Sequence, residues 1–273
     1  GLSAAEMLRH RGYQVHVCDR YDRIGGLLMY GIPGFKLEKS IVERRGKLLR
    51  DSGVHFHLNV DVGGETSFED IWAEHDAMLV ATGVYKARDI ATPGSDLDGI
   101  VPALEYLKAS NQKSLGDQVE AFDNGTLNAE NKDIVVIGGG DTAMDCVRTA
   151  IRQKAKSVSC LYRRDRANMP GSQREVQNAE EEGVVFKWLS APQAFLGDFK
   201  VGAVQAQRIH LGQPDSTGRQ VPEVIEGSMH ELPADMVIKA LGFDPEDLPT
   251  MFGQKGLEVT RWGTLKIDWR TMM

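Results

Sequence analysis

The stretch DIVVIGGGDTAMDCVRTAIRQKAKSVSCLYRR, residues 133–164, constrains the fold more than any other part of the chain. It opens with a β-branched apolar run that ends in glycine, which is typical of a buried parallel strand. The residues after it predict a helix with Ala143, Val147, Ala150 and Ile151 on one face, and SVSCLY predicts a second strand. Strand, glycine turn, helix and strand in this order predict a Rossmann-type βαβ unit.

The turn within this unit has the spacing of a dinucleotide-binding motif. Gly138, Gly140 and Ala143 fit the pattern G-x-G-x-x-A. The first glycine permits a tight turn, the second lets the backbone approach a pyrophosphate, and the small third residue lets the helix pack on the strand. The N-terminus of the helix offers N–H groups and the positive end of its dipole to a phosphate. We therefore predict a dinucleotide site at this turn.

Two arginines, Arg163 and Arg164, follow the second strand, where a Rossmann unit meets the adenosine ribose. An acidic residue at this position accepts hydrogen bonds from a ribose 2′-hydroxyl, whereas the arginine fork binds a 2′-phosphate. The pair therefore favours NADP(H) over NAD(H), and Asp165 is a weaker signal in the opposite direction. The alternative is a solvated basic strand end, but strand, motif, helix, strand and arginines in register favour the nucleotide.

The N-terminal residues repeat the second half of such a unit. GLSAAEMLRH predicts a helix, Gly12 ends it, and QVHVCD predicts a strand that ends at Asp19. Gly1 takes the place of the last glycine of a G-x-G-x-x-G turn. Asp19 is either a solvated strand end or an acceptor for a ribose diol, and its place in the helix–strand frame favours the ribose. The first strand of this unit would precede Gly1, so we expect an internal segment of a longer protein.

A glycine-rich loop follows, with Gly25–Gly26 and Gly31–Gly34 on either side of LLMY. The apolar residues within it are unusual for an exposed loop, so we expect its backbone to lie against a flat or charged ligand. Beyond it, the pattern predicts an amphipathic helix over 37–53 and a buried strand over 76–83. The strand predicted between them, over 54–62, carries His55 and His57 on one face. With no third metal ligand nearby, we interpret this pair as solvent-facing.

Composition excludes several classes of protein. The 273 residues carry a formal net charge of −7, which leaves no basic excess for nucleic-acid binding. No apolar run is long enough to span a bilayer, so we expect no membrane association. The three cysteines include no C-x-x-C pair and fit no metal site, so we expect buried reduced thiols in a cytoplasmic protein.

These motifs occur together and in this order in one family. The resemblance is carried by GLSAAEML, GGLLMYGIPGFKLEK, LVATG, VIGGGDTAMDCVRTA, LYRRDRANMPGS, AEEEGV and LPADMVIKALGF. On these blocks the chain resembles the small (beta) subunits of NADPH-dependent glutamate synthases over essentially its whole length. The resemblance implies an enzyme, a flavoprotein in which hydride passes from NADPH to FAD.

The same resemblance implies partners and site residues. Electrons would pass through iron–sulfur clusters, expected only in an N-terminal region outside these residues, to a glutamate synthase large (alpha) subunit that makes glutamate from glutamine and 2-oxoglutarate. The FAD-lining residues would be Gly1, Asp19, Gly25, Gly26, Leu27, Val62, Thr82 and Gly83. The NADPH-binding residues would be Gly138, Gly140, Asp141, Thr142, Ala143, Arg163 and Arg164. Gly242 would lie where the chain returns to the FAD domain. We predict no catalytic side chain, because the cofactors carry hydride chemistry.

The fold class is therefore expected to be α/β with two Rossmann-like dinucleotide-binding domains. The FAD domain would be discontinuous and truncated at both ends, comprising residues 1–110 and 241–273. The NADPH domain would be inserted as residues 111–240 and begin with a polar connector over 110–133. Glu175 has two open interpretations, a group facing the nicotinamide or a charge in the first turn of a helix.

Three alternatives compete with this function. A disulfide reductase of the thioredoxin reductase type would need a redox C-x-x-C pair, which the sequence lacks. The reductase module of a pyrimidine dehydrogenase shares much of the motif set. A nucleotide-binding protein without catalysis is of a different class, and the paired flavin and NADPH motifs argue against it.

Overall fold

The computed structural model describes residues 1–214 and 220–273, and contacts divide the chain into two compact units. Unit 1 comprises Gly1–Lys86 and Phe243–Met273, and unit 2 comprises Ala87–Gly242. The first part of unit 1 contains, in chain order, α1 (Leu2–His10), β1 (Val15–Asp19), α2 (Leu27–Tyr30), α3 (Lys39–Asp51), β2 (Val54–Leu58) and α4 (Phe68–Ala73). The two-residue strand β3 (Lys86–Ala87) lies where the chain passes from unit 1 to unit 2.

Strands β1 and β2 of unit 1 pair in parallel, with Val15 opposite Val54. These two valines form a small core with Ala5 of α1 and Leu49 of α3, so helices cover one face of the pair. The predicted first helix, the helix over 37–53 and the two strands are confirmed, with slightly shorter bounds. Side chains alternate between the faces of a strand, so the histidines of β1 and β2 share the other face.

The buried strand predicted over residues 76–83 is wrong. The structure assigns no strand to these residues, and the Leu79 side chain is 56% exposed. A strand exists through ladder hydrogen bonds with a neighbour. Among the described residues, none pairs with this segment in a ladder. The apolar pattern is therefore present without the neighbouring strand that would bury it.

Unit 2 contains most of the regular structure. Its elements are β4 (Ile100–Pro102), α5 (Ala103–Ser114), α6 (Glu120–Asp123), β5 (Asp133–Ile137), α7 (Asp141–Arg152), β6 (Ser157–Leu161), α8 (Gln173–Glu181), β7 (Val185–Lys187), β8 (Ser190–Leu196), β9 (Ala203–Pro214), β10 (Gln220–Pro233) and β11 (Met236–Lys239). Five of the strands form a parallel sheet in the order β4–β11–β5–β6–β7. The strand–turn–helix–strand unit predicted from residue 133 is confirmed as β5, α7 and β6 at the middle of this sheet.

Strand β5 is buried on both faces, as its apolar run predicts. Ile134 and Val136 belong to a core that includes residues of α5 and α7, and Val135 and Ile137 belong to a second core. All four side chains are at most 4% exposed. The second core is closed by an antiparallel sheet in the order β10–β9–β8, which the sequence analysis did not predict.

The first boundary between the units differs from the predicted one. The division falls between Lys86 and Ala87, whereas the predicted FAD domain extends to residue 110. The reason is α5, whose side chains Tyr106 and Leu107 are buried in the same core as Ile134. Residues 87–110 therefore belong to unit 2. At the other end, the division between Gly242 and Phe243 lies close to the predicted one.

The predicted polar connector over 110–133 is also part of unit 2 rather than a linker. Its Ala129 is fully buried, and the Ala129 N–H donates to the Gln153 side-chain oxygen at 2.9 Å. The same oxygen accepts from the Tyr106 hydroxyl at 2.9 Å. Polar composition misled the prediction here, because a few buried groups are enough to fix a largely polar segment.

The final segment returns the chain to unit 1 with β12 (Phe243–Asp244) and α9 (Leu248–Met251). It packs against the first part of unit 1, where the Phe252 and Phe68 rings stack with centroids 4.5 Å apart. Within residues 1–214 and 220–273, no helix is both long and apolar enough to cross a membrane.

Candidate nucleotide-binding sites

The turn after β5 contains two glycines that packing requires. Gly138 has φ +142°, and a Cβ there would lie 2.2 Å from the Ala240 carbonyl oxygen. A Cβ at Gly139 would lie 2.4 Å from the Tyr162 ring. Both positions are therefore closed to any side chain by the protein itself.

Gly140, the third glycine, is different. Its φ is −90° and its ψ is 176°, which any residue adopts, and a Cβ there would meet no protein atom within 4 Å. Gly140 is also the N-cap of α7, and no side chain caps this helix. The first N–H groups of α7 are therefore available to an anion, and the space beside them is open. Unlike Gly138 and Gly139, Gly140 is therefore not required by contacts with other described residues.

The two predicted arginines follow β6, the parallel neighbour of β5. The carboxyl ends of both strands lie at the same edge of the sheet. Arg163 is exposed and makes no hydrogen bond or ion pair with any described residue. Arg164 donates to the Gln220 carbonyl at 3.4 Å. Asp165, the contrary signal in the sequence, accepts from the Asn168 backbone N–H at 2.8 Å and thus serves the local turn.

The other predicted residues of this turn lie at the start of α7. Ala143 is fully buried in the core beside β5, as the small third position of the motif requires. Asp141 is exposed and Thr142 is half-buried. The loop before α8 also reaches this turn, because the Gly171 N–H donates to the Gly139 carbonyl at 3.0 Å. Sequence reasoning missed Gly171, although its place in the dipeptide Pro170–Gly171 is a turn signal.

Glu175 lies in the first turn of α8 and contacts α7. Its carboxylate accepts from the Arg148 guanidinium at 2.7 Å, and Arg148 also binds Glu182 at 2.7 Å. Arg152 donates to Glu182 as well, at 2.7 and 2.9 Å. The Arg152 hydrogen bond and then that of Arg148 lower the pKa of Glu182 to about 2. The geometry favours a structural role for Glu175 over the alternative that it faces a nicotinamide.

In unit 1, helix α1 begins at Gly1, again without a side-chain cap. A Cβ at Gly1 would lie 3.7 Å from the Ala81 side chain, so the segment after residue 80 lies beside the start of this helix. The structure therefore places the segment that contains Thr82 and Gly83 beside the start of α1. Gly83 has φ +75°, and both Thr82 and Gly83 are exposed.

The predicted glycine-rich loop forms a sharp turn into a short helix. Gly25 and Gly26 have φ values of +125° and +52°, which favour glycine. A Cβ at Gly25 would lie 2.6 Å from the Val42 side chain, so packing against α3 excludes one. Leu27 begins α2 and is half-buried. The Lys39 ammonium donates to the Leu28 carbonyl at 3.0 Å, which fixes this turn on α3.

Tyr85, which sequence reasoning missed, lies among the predicted residues of unit 1. Its hydroxyl is 3.4 Å from the Cβ position of Gly26, and its ring is 3.5 Å from that of Gly83. The Arg20 guanidinium lies over the same ring at 5.1 Å from the centroid. Burial raises the pKa of Tyr85 to about 12, so the phenol stays protonated. Its signal in the sequence is only its position, two residues after Gly83.

Asp19 ends β1 and is half-buried, and burial raises the pKa of its carboxyl. One carboxylate oxygen accepts from the Tyr21 N–H at 3.0 Å. The Val60 N–H donates to the Asp19 carbonyl at 3.0 Å, which brings the segment leading to Val62 to this strand end. Val62 itself forms an isolated bridge with Thr66.

Arg20 and Gly242 connect to the returning segment in different ways. Arg20 donates two hydrogen bonds, at 3.1 and 2.9 Å, to the carboxylate of Glu246. This ion pair joins the two parts of unit 1. Gly242 is the last residue of unit 2, has φ +89°, and accepts from the Arg88 N–H at 3.0 Å.

His55 and His57 are both exposed, so the prediction that they face solvent is confirmed. The premise that no third histidine lies nearby is wrong. The His16 ring stacks on His55 at 4.8 Å and on His57 at 5.2 Å, and His75 meets it edge-on at 5.2 Å. Strand register is the cause, because β1 places His16 directly opposite His55. Nevertheless, no group of His, Cys, Asp and Glu within the described residues has a geometry that could hold a metal ion.

The prediction of buried thiols holds for two of the three cysteines. Cys146 and Cys160 are buried, whereas Cys18 is exposed on the histidine face of β1. Burial raises the pKa of Cys160 to about 12 and that of Cys146 well above its usual value. Neither buried cysteine is therefore suited to thiolate chemistry.

A glycine turn at an uncapped helix on a parallel sheet, with arginines after the next strand, defines a dinucleotide-binding α/β protein. The family model described as pyridine nucleotide-disulphide oxidoreductase matches residues 1–271, and the chain belongs to this oxidoreductase family. The chain is 67% identical to the glutamate synthase (NADPH) small chain of Azospirillum brasilense, covering all of this chain and 57% of that protein. It is 44% identical to the corresponding small chain of Escherichia coli, covering 91% of this chain and 53% of that one.

The chain thus spans little more than half the length of these curated relatives. Among solved structures, FprA from Mycobacterium tuberculosis in complex with NADPH matches with a TM-score of 0.75 and 19% identity, over all of this chain and 71% of that one. This likeness confirms the predicted α/β fold class.

Proposed function

We propose that unit 2 binds NADPH and that Gly140 marks the place of its pyrophosphate. One observation carries the proposal: the fold leaves open space at a glycine that it does not need, beside the uncapped N–H groups of α7. Arg163, which has no partner among the described residues, would hold the ribose 2′-phosphate together with Arg164. Asp141, Thr142 and Ala143 would form the helix end under the phosphates.

Unit 1 would bind FAD. Its first helix also begins at an uncapped glycine, Gly1, and Thr82 and Gly83 lie beside it. Asp19 would accept hydrogen bonds from the ribose, and the turn of Gly25, Gly26 and Leu27 would line the cofactor. When both groups are bound, NADPH supplies a hydride to the flavin. The protein would orient the two groups, and no side chain is assigned to acid–base catalysis.

The whole protein would be the small subunit of a glutamate synthase. Support comes from the names of the relatives, 67% and 44% identical, whose length this chain spans only in part. Electrons would leave the flavin through iron–sulfur clusters held outside these 273 residues and reach a large subunit that forms glutamate. The buried cysteines of unit 2 argue against disulfide reduction as the alternative activity.

The test is to replace both arginines, Arg163→Ala and Arg164→Ala, and to titrate the protein with NADPH and NADH by calorimetry. Losing charge-assisted hydrogen bonds should cost roughly 1.5–3 kcal/mol with NADPH. Binding of NADH, which lacks the 2′-phosphate, should change little. Equal weakening of both nucleotides would contradict the role of the arginines, and a wild-type protein that binds neither would contradict the site itself. For unit 1, NADPH-dependent loss of the visible flavin absorbance after addition of FAD is the corresponding test.

A further inference from the structure

The loop between β6 and α8, residues 162–172, is fastened to the glycine turn by two hydrogen bonds. The Gly171 N–H donates to the Gly139 carbonyl at 3.0 Å, and the Ser172 N–H donates to Asp141 Oδ1 at 3.0 Å. Asp141 is the first residue of α7, and Ser172 is the residue just before α8. The Asp141 carboxylate therefore joins the N-terminal ends of two helices.

The fit between loop and turn is close. A Cβ at Gly171 would lie 3.0 Å from the Gly139 oxygen and 3.3 Å from the Gly140 carbonyl carbon. Both neighbours are backbone atoms that cannot turn away as a side chain can. A Cβ at residue 171 would therefore force the loop and the turn apart by a few tenths of an ångström, so the close contact favours glycine here.

The loop is also ordered internally. The Tyr162 hydroxyl donates to the Asn168 carbonyl at 3.1 Å, and Met169 is 6% exposed and belongs to the core of unit 2. Arg163 and Arg164 lie between the end of β6 and these anchors. On the near side, the Arg164 carbonyl accepts from the Leu189 N–H at 3.1 Å, so the loop that carries both arginines is held at two ends. The contacts of Gly171 and Ser172 are the far end.

Binding of a pyrophosphate alone does not explain why residue 141 carries a carboxylate. Like charges a few ångströms apart repel, so an acid beside an anion site weakens binding. The hydrogen bond with Ser172 offers another explanation, because the Asp141 carboxylate accepts from the backbone N–H of the residue that precedes α8.

We propose that Asp141 is a positioning residue, a latch that holds the 162–172 loop on the glycine turn and thereby places Arg163 and Arg164 for a ribose 2′-phosphate. The inference rests on the proposed binding of NADPH by unit 2. The Asp141 carboxylate then governs the preference for NADPH over NADH through the loop, while the backbone of Asp141 forms part of the helix end under the phosphates.

Four variants separate this role from others. Asp141→Ala removes the acceptor, whereas Asp141→Asn keeps an oxygen that accepts the same hydrogen bond. Ser172→Pro removes the donating N–H, and the Ser172 φ of −56° is one that proline adopts. Asp198→Ala is the matched control. Asp198 is an exposed aspartate of the same unit, and its side chain makes no hydrogen bond or ion pair with any described residue.

The first measurement needs no ligand. Limited digestion with trypsin should cut after Arg163, Arg164 or Arg166 at least about fivefold faster in Asp141→Ala and Ser172→Pro than in wild type, the factor expected for one lost hydrogen bond. Asp141→Asn and Asp198→Ala should be cut at the wild-type rate. An unchanged rate in Asp141→Ala would overturn the latch, whatever the protein binds.

The second measurement is calorimetric titration with NADPH and with NADH. The ratio of the two affinities should fall about fivefold in Asp141→Ala and in Ser172→Pro, and the double variant should show no further fall, because both changes break one hydrogen bond. If Asp141→Ala weakens both nucleotides alike while Ser172→Pro weakens neither, Asp141 contacts the nucleotide directly and the latch is wrong. A wild-type protein that binds neither would instead contradict the proposed function, and the trypsin rates would still decide the latch.

Discussion

The guanidinium of Arg148 lies 2.7 Å from the Glu175 carboxylate, and the Arg148 side chain is only 9% exposed. The same guanidinium binds Glu182, the C-cap residue that directly follows α8. One buried cation on α7 therefore holds both ends of α8.

Removing this cation should destabilise unit 2. Arg148→Met would remove a buried cation from between two half-buried carboxylates, and Glu182 would keep only its hydrogen bonds from Arg152. The expected cost is about 3 kcal/mol in the free energy of unfolding, at the low end for a broken buried pair. Arg152→Met is the control, because the Arg152 side chain is 39% exposed and an exposed pair contributes less than about 1 kcal/mol. Urea denaturation of both variants measures the difference. Equal effects would show that burial of Arg148 does not matter.

The lowered pKa of Glu182 should make the free energy of unfolding fall at acidic pH. Hydrogen bonds from Arg152 and Arg148 lower its pKa from 4.5 to about 2. The folded state therefore favours the ionised form, and its contribution is present above about pH 4.5 and lost as the pH falls towards about 2. Glu182→Gln should flatten the decline of unfolding free energy in this interval. A decline as steep as that of wild type would assign it to other carboxyls.

A histidine cluster should make stability depend on pH in a second, higher pH range. Burial, and then the nearby His55, His57 and His75, lower the pKa of His16. The unfolded chain therefore takes up this proton first, and stability falls as the pH drops below about 6.5. His16→Asn should make thermal stability less dependent on pH between about 7 and 5. His10→Asn, at an exposed histidine outside this cluster, is the matched substitution for comparison.

Two glycine variants separate folding from binding at the turn. Gly140→Val should still fold, because its backbone angles suit valine and nothing lies within 4 Å of the Cβ. Its melting temperature should fall only slightly, since valine is a poorer N-cap than glycine. It should lose NADPH binding by more than about tenfold, since the side chain would occupy the place of the phosphate. Gly138→Val should instead fail to fold properly, because its Cβ would lie 2.2 Å from the Ala240 oxygen. A Gly140→Val protein with normal NADPH affinity would show that the phosphate lies elsewhere.

The β5–α7–β6 unit could be predicted from sequence because its signals are local. The apolar run of β5, the glycines after it and the face of α7 lie within one stretch of chain, and each agrees with the others. The same is true of α3 and of the start of α8. The two arginines could be placed because a strand end fixes their position on the sheet.

Other features depend on contacts between distant residues, which periodicity does not report. The apolar pattern of residues 76–83 is real, but without a paired neighbour it makes no strand. His16 meets His55 through strand register, and Tyr85 reaches Gly26 across the fold. The Asp141–Ser172 hydrogen bond likewise joins residues 31 positions apart.

Gly138 and Gly139 are required by packing, whereas Gly140 is not. This difference affects how the chain responds to selection. At a backbone geometry that alanine adopts, replacing glycine restricts the unfolded chain and stabilises a protein by about 0.4–1 kcal/mol. Gly140 has such a geometry, but it is also the N-cap of α7, where glycine is better than alanine, so the two effects on stability largely offset each other. A mutant library sorted for expression and heat tolerance should therefore tolerate substitutions at Gly140 while it rejects those at Gly138 and Gly139. Only a screen for nucleotide binding should retain glycine at all three positions.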